Sequence, residues 1–155
     1  MSEQDDPGGA PSRVQLADEQ ERPVDTRSLV RVATRALDEA GIPAGHSLSI
    51  ALVSVERITD LKGRFYGEPR STDVLSFPMD PLDAPAPAML GDVVLCVDVA
   101  AEQAAGLGRS TQDELEYLLV HGILHLAGRD HETPADEVAM AREERRILRA
   151  TAVAS

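Results

Sequence analysis

Three of the four histidines of this chain fall within eleven residues, and their spacing constrains both the local fold and the chemistry. His121 and His125 are four residues apart, so on a helix they project from one face, one turn apart. Gly128 follows them, and glycine readily adopts the left-handed conformation that ends a helix. The resulting turn gives His131 a path back toward the same point. Three imidazoles with one open position form the ligand set of a catalytic zinc site.

The spacing predicts a bound metal ion without naming the element. Imidazole suits zinc, but also nickel, copper and iron. We expect one Zn²⁺ per chain, with Ni²⁺ or another transition metal as the substitute in a purified sample. The predicted ligands are His121, His125 and His131.

The same segment invites comparison with the metzincin proteases, whose pattern is H-E-x-x-H-x-x-G-x-x-H. It matches that pattern at every position but one, because Gly122 stands where the proteases place a general-base glutamate. A glycine has no group that can accept a proton. Peptide hydrolysis by the usual route is therefore disfavoured, and a metalloprotease-like hydrolase stays as an alternative.

Length and composition indicate one globular domain. The chain has 155 residues, of which 43% are hydrophobic, and this is enough for a core without disulfides. The single cysteine, Cys96, lies in an apolar run and is expected to be a buried small hydrophobe. Residues 1–11 are polar and contain glycine and proline, which predicts a disordered tail. We expect the domain to span residues 12–150, followed by a C-terminal tail at 151–155.

The hydrophobic periodicity predicts strands alternating with helices. The predicted strands cover residues 13–17, 47–55, 74–77 and 91–97. The predicted helices cover residues 26–40, 56–65, 99–106, 111–128 and 134 to about 150. A capping box of Thr111 and Glu114 is expected to start the helix that carries the histidines. His46 precedes a strand, and we expect it on the surface.

Charge argues against a generic nucleic-acid binder, because 15 basic and 27 acidic residues give a net charge of −12. Any contact with nucleic acid would need a local basic patch. Residues 57–70 contain four cations and two carboxylates, a net charge of +2, although a solvated surface explains that pattern equally well. Phe77 could stack on a base, but aromatic residues make up only 3% of the chain. We therefore expect no stacking platform of several rings.

Two segments resemble one known family, the YbeY endoribonucleases, which are metal-dependent proteins of bacterial ribosomal RNA maturation. One is the histidine segment from His121 to His131, and the other is S-T-D-V-L-S-F-P at 71–78. The start of the strand at Leu90-Gly91-Asp92 is also similar. The likeness extends from about residue 12 to residue 150, and the order of the predicted elements fits throughout.

The resemblance implies an α+β fold in a single domain, with a small mixed β-sheet packed against helices and a metal at one end of a cleft. It implies metal-dependent cleavage of single-stranded RNA, in 3′-end processing of small-subunit rRNA and in ribosome quality control. The family's metal ligands correspond to His121, His125 and His131. The implied partners are rRNA and the ribosome or its small-subunit proteins. The oligomeric state stays open.

Residues beyond the metal ligands are assigned less directly. Many family members place an arginine after an aromatic residue ahead of the Thr-Asp pair, but here Tyr66 follows Phe65. Arg64 and Arg70 are therefore the two candidates for contact with phosphate. Asp130 and its neighbour Glu132 flank the third histidine, and each is a candidate proton carrier or a partner of an imidazole N–H. The nucleophile is either metal-bound water or the RNA 2′-hydroxyl.

A third hypothesis is a non-catalytic ribosome-assembly factor with a structural metal, which would need a fourth protein ligand. The negative charge of the chain predicts weak, salt-sensitive affinity for RNA, so a ribosome or protein partner is expected to deliver the substrate. The N-terminus has no basic start and no apolar segment, so no signal peptide is predicted. No apolar run approaches the roughly 18 residues of a membrane-spanning helix. We therefore expect a cytoplasmic protein.

Overall fold

The computed structural model describes residues 12–154, so the predicted tail at 1–11 lies outside the described residues. The described residues form an α+β fold in one domain, as predicted. The elements in chain order are β1 (Val14–Asp18), α1 (Thr26–Glu39), β2 (His46–Val53), α2 (Val55–Tyr66), β3 (Val74–Pro78), β4 (Ala88–Cys96), α3 (Val97–Leu107), α4 (Thr111–Leu126) and α5 (Pro134–Ala154). The last helix therefore continues beyond its predicted end near residue 150.

The four strands form one mixed sheet in the order β1-β2-β4-β3. β1 pairs with β2 and β2 with β4 in parallel, whereas β3 runs antiparallel to β4. Because β3 pairs only with β4 among the described strands, its other side is an edge of the sheet. Much of the candidate site lies along this edge.

The two faces of the sheet are covered differently, because successive side chains of a strand point to opposite faces. Leu48, Ile50 and Leu52 of β2 pack into the main core with α1, α3, α4 and α5. The alternate residues Ala51 and Val53 pack with α2 in a smaller cluster on the other face. Cys96 belongs to this smaller cluster and is buried, as predicted.

Two local predictions are wrong. The cap of α4 is Ser110, whose hydroxyl accepts from the amide of Asp113 at 3.0 Å. Glu114, predicted to complete a capping box with Thr111, instead lies 2.8 Å from the guanidinium of Arg109. His46 is buried rather than on the surface, because it begins β2 and its Nε2 lies 2.9 Å from the carbonyl oxygen of Pro81. Within residues 12–154, no helix is long and apolar enough to cross a membrane.

Candidate metal centre

The three histidines of the predicted site come together. One ring nitrogen from each of His121, His125 and His131 lies within 4.8 Å of the others. The Nε2 atoms of His121 and His125 are 3.1 Å apart, as expected for neighbouring residues on one face of α4. His121 and His125 are partly buried, whereas His131 is exposed. One side of the cluster therefore packs against the protein, and the other side, at His131, is open to solvent.

The turn after α4 brings the third histidine to the helix. Gly128 has a φ of +91°, which favours glycine, and its amide donates to the carbonyl of His125 at 3.0 Å. Arg129 then donates two side-chain hydrogen bonds to Glu143 of α5, at 3.1 and 3.0 Å. This paired contact fastens the turn to the last helix. As a result, the segment leading to His131 has a defined direction.

Glu144 of α5 is a member of the site that the sequence analysis missed. One of its carboxylate oxygens makes a short hydrogen bond with Nδ1 of His121. Its side chain is only 6% exposed, so this carboxylate is sequestered next to the imidazole. A carboxylate on Nδ1 fixes the tautomer that leaves Nε2 free to bind a metal. Asp130 and Glu132 were predicted for this role, but neither makes such a contact within the described residues.

A signal for Glu144 exists in the sequence. The buried stripe of α5 runs at helical spacing through Met140, Glu144, Ile147 and Thr151. A glutamate on the apolar stripe of an amphipathic helix is rarely fully buried unless it has a partner. That position therefore marks a paired carboxylate, but only the packing of α5 against α4 identifies the partner as His121.

The donor set fits a transition metal. Burial lowers the pKa of His125, and the nearby His121 and His131 lower it further, so its imidazole stays neutral near neutral pH. A neutral imidazole is the form that binds metal. The separation of 3.1 Å between two Nε2 atoms is close to the spacing that zinc–nitrogen bonds of about 2.0–2.1 Å impose in a tetrahedral site. The three histidines are thus arranged to hold one ion.

Gly122 has a steric reason for being a glycine. A Cβ atom added there would lie 2.9 Å from Cγ1 of Val93 and 3.1 Å from Oγ of Ser76. The Ser76 hydroxyl also donates to the Gly122 carbonyl at 3.1 Å. α4 therefore sits directly on β3 and β4 at this point. The position where a metzincin has its glutamate has no space for a side chain.

The histidine cluster opens into a groove of about 750 Å³ beside the free edge of β3. Its walls come from the end of α2, the loop that follows and β3, and from the histidines themselves. Asp73 lies in this wall, where its carboxylate accepts from the amide of Val74 at 2.7 Å and from Gln103 at 3.2 Å. The groove runs beside β3, whose residues from Val74 to Ser76 line it.

The other candidate residues, Arg64, Arg70 and Asp130, are not among the residues that line the groove. Arg64 is on α2 with its guanidinium 3.2 Å from Asp60, and Arg70 is in the next loop, 4.0 Å from Glu68. Neither is among the residues that line the groove, although Lys62 is. Asp130 is exposed, and its carboxylate accepts from the amide of Glu132 at 3.5 Å.

Aromatic side chains cluster beside the groove, contrary to the expectation of no multi-ring platform. The ring centroid of Phe77 lies 5.3 Å from that of Phe65 and 5.8 Å from that of Tyr66. Three of the four Phe and Tyr residues of the chain are thus in contact. Low aromatic content did not prevent a cluster, because the end of α2 lies against β3 and brings Phe65 and Tyr66 to Phe77.

Comparisons with known proteins agree with this geometry. A family model described as endoribonuclease YbeY matches residues 15–152. A relative of that name from Salinispora tropica is 43% identical over 87% of this chain and 93% of its own length. Another, from Beutenbergia cavernae, is 47% identical over 81% of this chain and 87% of its own.

The fold has a solved counterpart. The solution structure of TM1509 from Thermotoga maritima is 25% identical, with a TM-score of 0.63 over 89% of this chain and 88% of that one. The family predicted from the histidine segment is therefore confirmed, and this chain belongs to the YbeY endoribonuclease family.

Proposed function

We propose that this protein is a zinc-dependent endoribonuclease specific for single-stranded RNA. The proposal includes a place in rRNA maturation, at the 3′ end of small-subunit rRNA, in ribosome quality control, and in the cytoplasm. The observation that carries the enzymatic part is the cluster of three histidines, with Glu144 behind His121, at the wall of an open groove. Membership of an endoribonuclease family supports RNA as the substrate.

In this proposal His121, His125 and His131 hold the metal, and Glu144 orients the first of them. A bound zinc ion would supply a Lewis acid and lower the pKa of a coordinated water to about 7. The groove along β3 positions the RNA strand, and its place beside consecutive residues of a free strand edge favours an extended single strand. Asp130 is the proposed proton carrier, since it lies next to His131 in the chain.

The cationic side chains near the groove are proposed to bind the phosphates of the RNA backbone. Lys62 lines the groove, and Arg64 lies one turn from Asp60 on the same helix. Arg64 and Arg70 are 67% and 79% exposed, so both guanidinium groups are accessible. A guanidinium can contact a phosphate through two hydrogen bonds. We propose that these two arginines bind the RNA backbone on the approach to the histidines.

The two alternatives, a metalloprotease-like hydrolase and an assembly factor with a structural metal, are less well supported. Gly122 lies against Val93 and Ser76, so a protease-type glutamate has no place there. A closed structural metal site needs four protein ligands, and within residues 12–154 the ligand cluster consists of three histidines. An open position favours catalysis over a purely structural ion.

Removal of the metal tests the proposal directly. We expect purified protein to contain about one zinc per chain, measured by mass spectrometry, and to cleave single-stranded RNA. Chelation should abolish the cleavage, and added Zn²⁺ should restore it, because the three histidines alone provide no Lewis acid. A duplex of the same sequence is the control and should resist cleavage. Cleavage that persists after complete chelation would overturn the zinc-dependent mechanism.

A second prediction concerns Glu144. We expect Glu144→Gln to weaken zinc binding about 10- to 100-fold, as removal of a carboxylate behind a metal-bound histidine typically does. The amide keeps the size of the side chain but loses the charge that stabilises the Nδ1–H of His121. Competition with a chelator of known affinity measures the change.

The neighbouring Glu143 provides a matched control. Its carboxylate pairs with Arg129 and Arg146 instead of a histidine. We expect Glu143→Gln to leave the zinc affinity within about threefold of the wild type, because the glutamine amide oxygen still accepts a hydrogen bond from Arg129 and keeps the turn in place. Equal losses in the two variants would argue that Glu144 acts only through the general charge of α5.

A further inference from the structure

We propose that Tyr66 is a base-stacking residue that binds a nucleobase of single-stranded RNA in the histidine groove. The inference deepens the proposed function and rests on RNA being the substrate. It assigns a sequence-independent contact to the position where many family members have an arginine.

The position of Tyr66 and a hydrogen bond made by its hydroxyl suit it to this role. It is the last residue of α2 and lines the same groove as His121, His125 and His131. Its hydroxyl donates to the carbonyl oxygen of Ser76 at 2.9 Å, on the free edge of β3. The hydroxyl is thereby occupied, so the group that the side chain offers to a ligand is its ring. A ring held in advance loses little conformational freedom when a base stacks on it.

Exposure and packing distinguish the two rings from core residues. Tyr66 is 52% exposed and Phe65 is 65% exposed. Both rings contact the ring of Phe77, which is only partly exposed. The exposed aromatics therefore have an aromatic support beneath them. Aromatic surface of this kind is unfavourable in water unless a ligand covers it.

Charge selects nucleic acid as the ligand. The helix that carries these rings has three cations, Arg57, Lys62 and Arg64, against two carboxylates, so it is net positive in a chain of net charge −12. Aromatic rings next to cations form the usual surface for single-stranded nucleic acid, since the rings stack on bases and the cations meet phosphates. A protein partner with an apolar patch would not require the cations.

The test measures binding and stacking without cleavage. The full-length protein is titrated, in the presence of chelator, with a short single-stranded RNA that contains 2-aminopurine, whose fluorescence falls when it stacks. We expect Tyr66→Ala to raise Kd about tenfold and to remove the quenching, because one stacked base contributes roughly 5- to 150-fold in affinity. Tyr66→Phe keeps the ring and should bind within about threefold of the wild type.

Leu107→Ala is the matched control, because Leu107 is equally exposed, at 62%, on another helix. We expect wild-type Kd and quenching in this variant. Thermal unfolding of each variant checks that Tyr66→Ala is folded. If Tyr66→Ala binds and quenches like the wild type, the stacking role is wrong. Absence of saturable RNA binding by the wild type would also overturn it.

Cleavage measured separately with Zn²⁺ distinguishes this inference from the proposed function. At saturating RNA we expect Tyr66→Ala to cleave within about threefold of the wild-type rate, with the defect confined to KM. RNA binding with quenching but no cleavage by the wild type would reject the nuclease proposal and retain the stacking site. If Tyr66→Ala leaves the KM for RNA cleavage unchanged, the stacking site is rejected and the nuclease proposal is retained.

Discussion

Replacement of His125 by alanine is expected to abolish both zinc retention and RNA cleavage while leaving a folded domain. Its imidazole is only partly buried, so its loss creates a small defect in α4. His121→Ala is a less clean variant, since it leaves the buried carboxylate of Glu144 without its imidazole. Such an unpaired buried charge costs about 3–5 kcal/mol of stability. We expect zinc content below detection and cleavage reduced at least about a hundredfold in His125→Ala.

Thermal unfolding gives an independent measure of the same effect. Zinc at a thousandfold excess over its Kd adds about 4.1 kcal/mol to the wild type by linkage. For a domain of this size that corresponds to a rise in Tm of roughly 10 °C. We expect no zinc-dependent rise in His125→Ala.

His46→Ala is the control for the loss of a histidine, because His46 is buried at the start of β2, contacts Pro81 and is not part of the histidine cluster. It should lose stability and keep its zinc. Stoichiometric zinc in His125→Ala would contradict the assignment.

Introducing the protease glutamate at position 122 is expected to destabilise the fold strongly rather than create a peptidase. The new Cβ would meet Val93 at 2.9 Å and Ser76 at 3.1 Å, and the carboxylate beyond it would be forced into the contact between α4 and the sheet. Overpacking alone costs about 1–3 kcal/mol, and an unpaired buried charge adds to this. We expect Gly122→Glu to lose more than about 3 kcal/mol of unfolding free energy. Denaturant titration measures the loss.

Two alanine substitutions separate the steric effect from helix propensity. Gly122→Ala should still destabilise, by about 1 kcal/mol, because the clash outweighs the gain in propensity. Gly106→Ala, on α3 with no atom within 4 Å of the new Cβ, should stabilise by about 0.5–1 kcal/mol. A stable Gly122→Glu protein that cleaves peptides only with zinc would revive the metalloprotease alternative.

The features that could be predicted from the sequence are those that depend on neighbouring residues, such as strand periodicity. The apolar periodicity predicts a strand at 47–55, and its alternate residues Leu48, Ile50 and Leu52 all lie in the main core. Ser110 and Thr111 are adjacent and both can cap a helix, so the sequence pattern does not distinguish them. The predicted cap is Thr111 and the observed cap is Ser110. The burial of His46 was missed because its partner, the carbonyl of Pro81, lies 35 positions away.

The sequence by itself determined the histidine cluster, because His121 and His125 share a helical face and Gly128 permits the return to His131. These contacts depend on separations of a few residues, which local backbone geometry dictates. Only the tertiary structure decided that Glu144 reaches His121, that Gly122 touches β4, and that Tyr66 and Phe77 meet beside the groove. Each of these joins two different elements of the fold rather than two residues of one element. Such contacts depend on how whole helices pack on the sheet, and no local pattern encodes that arrangement.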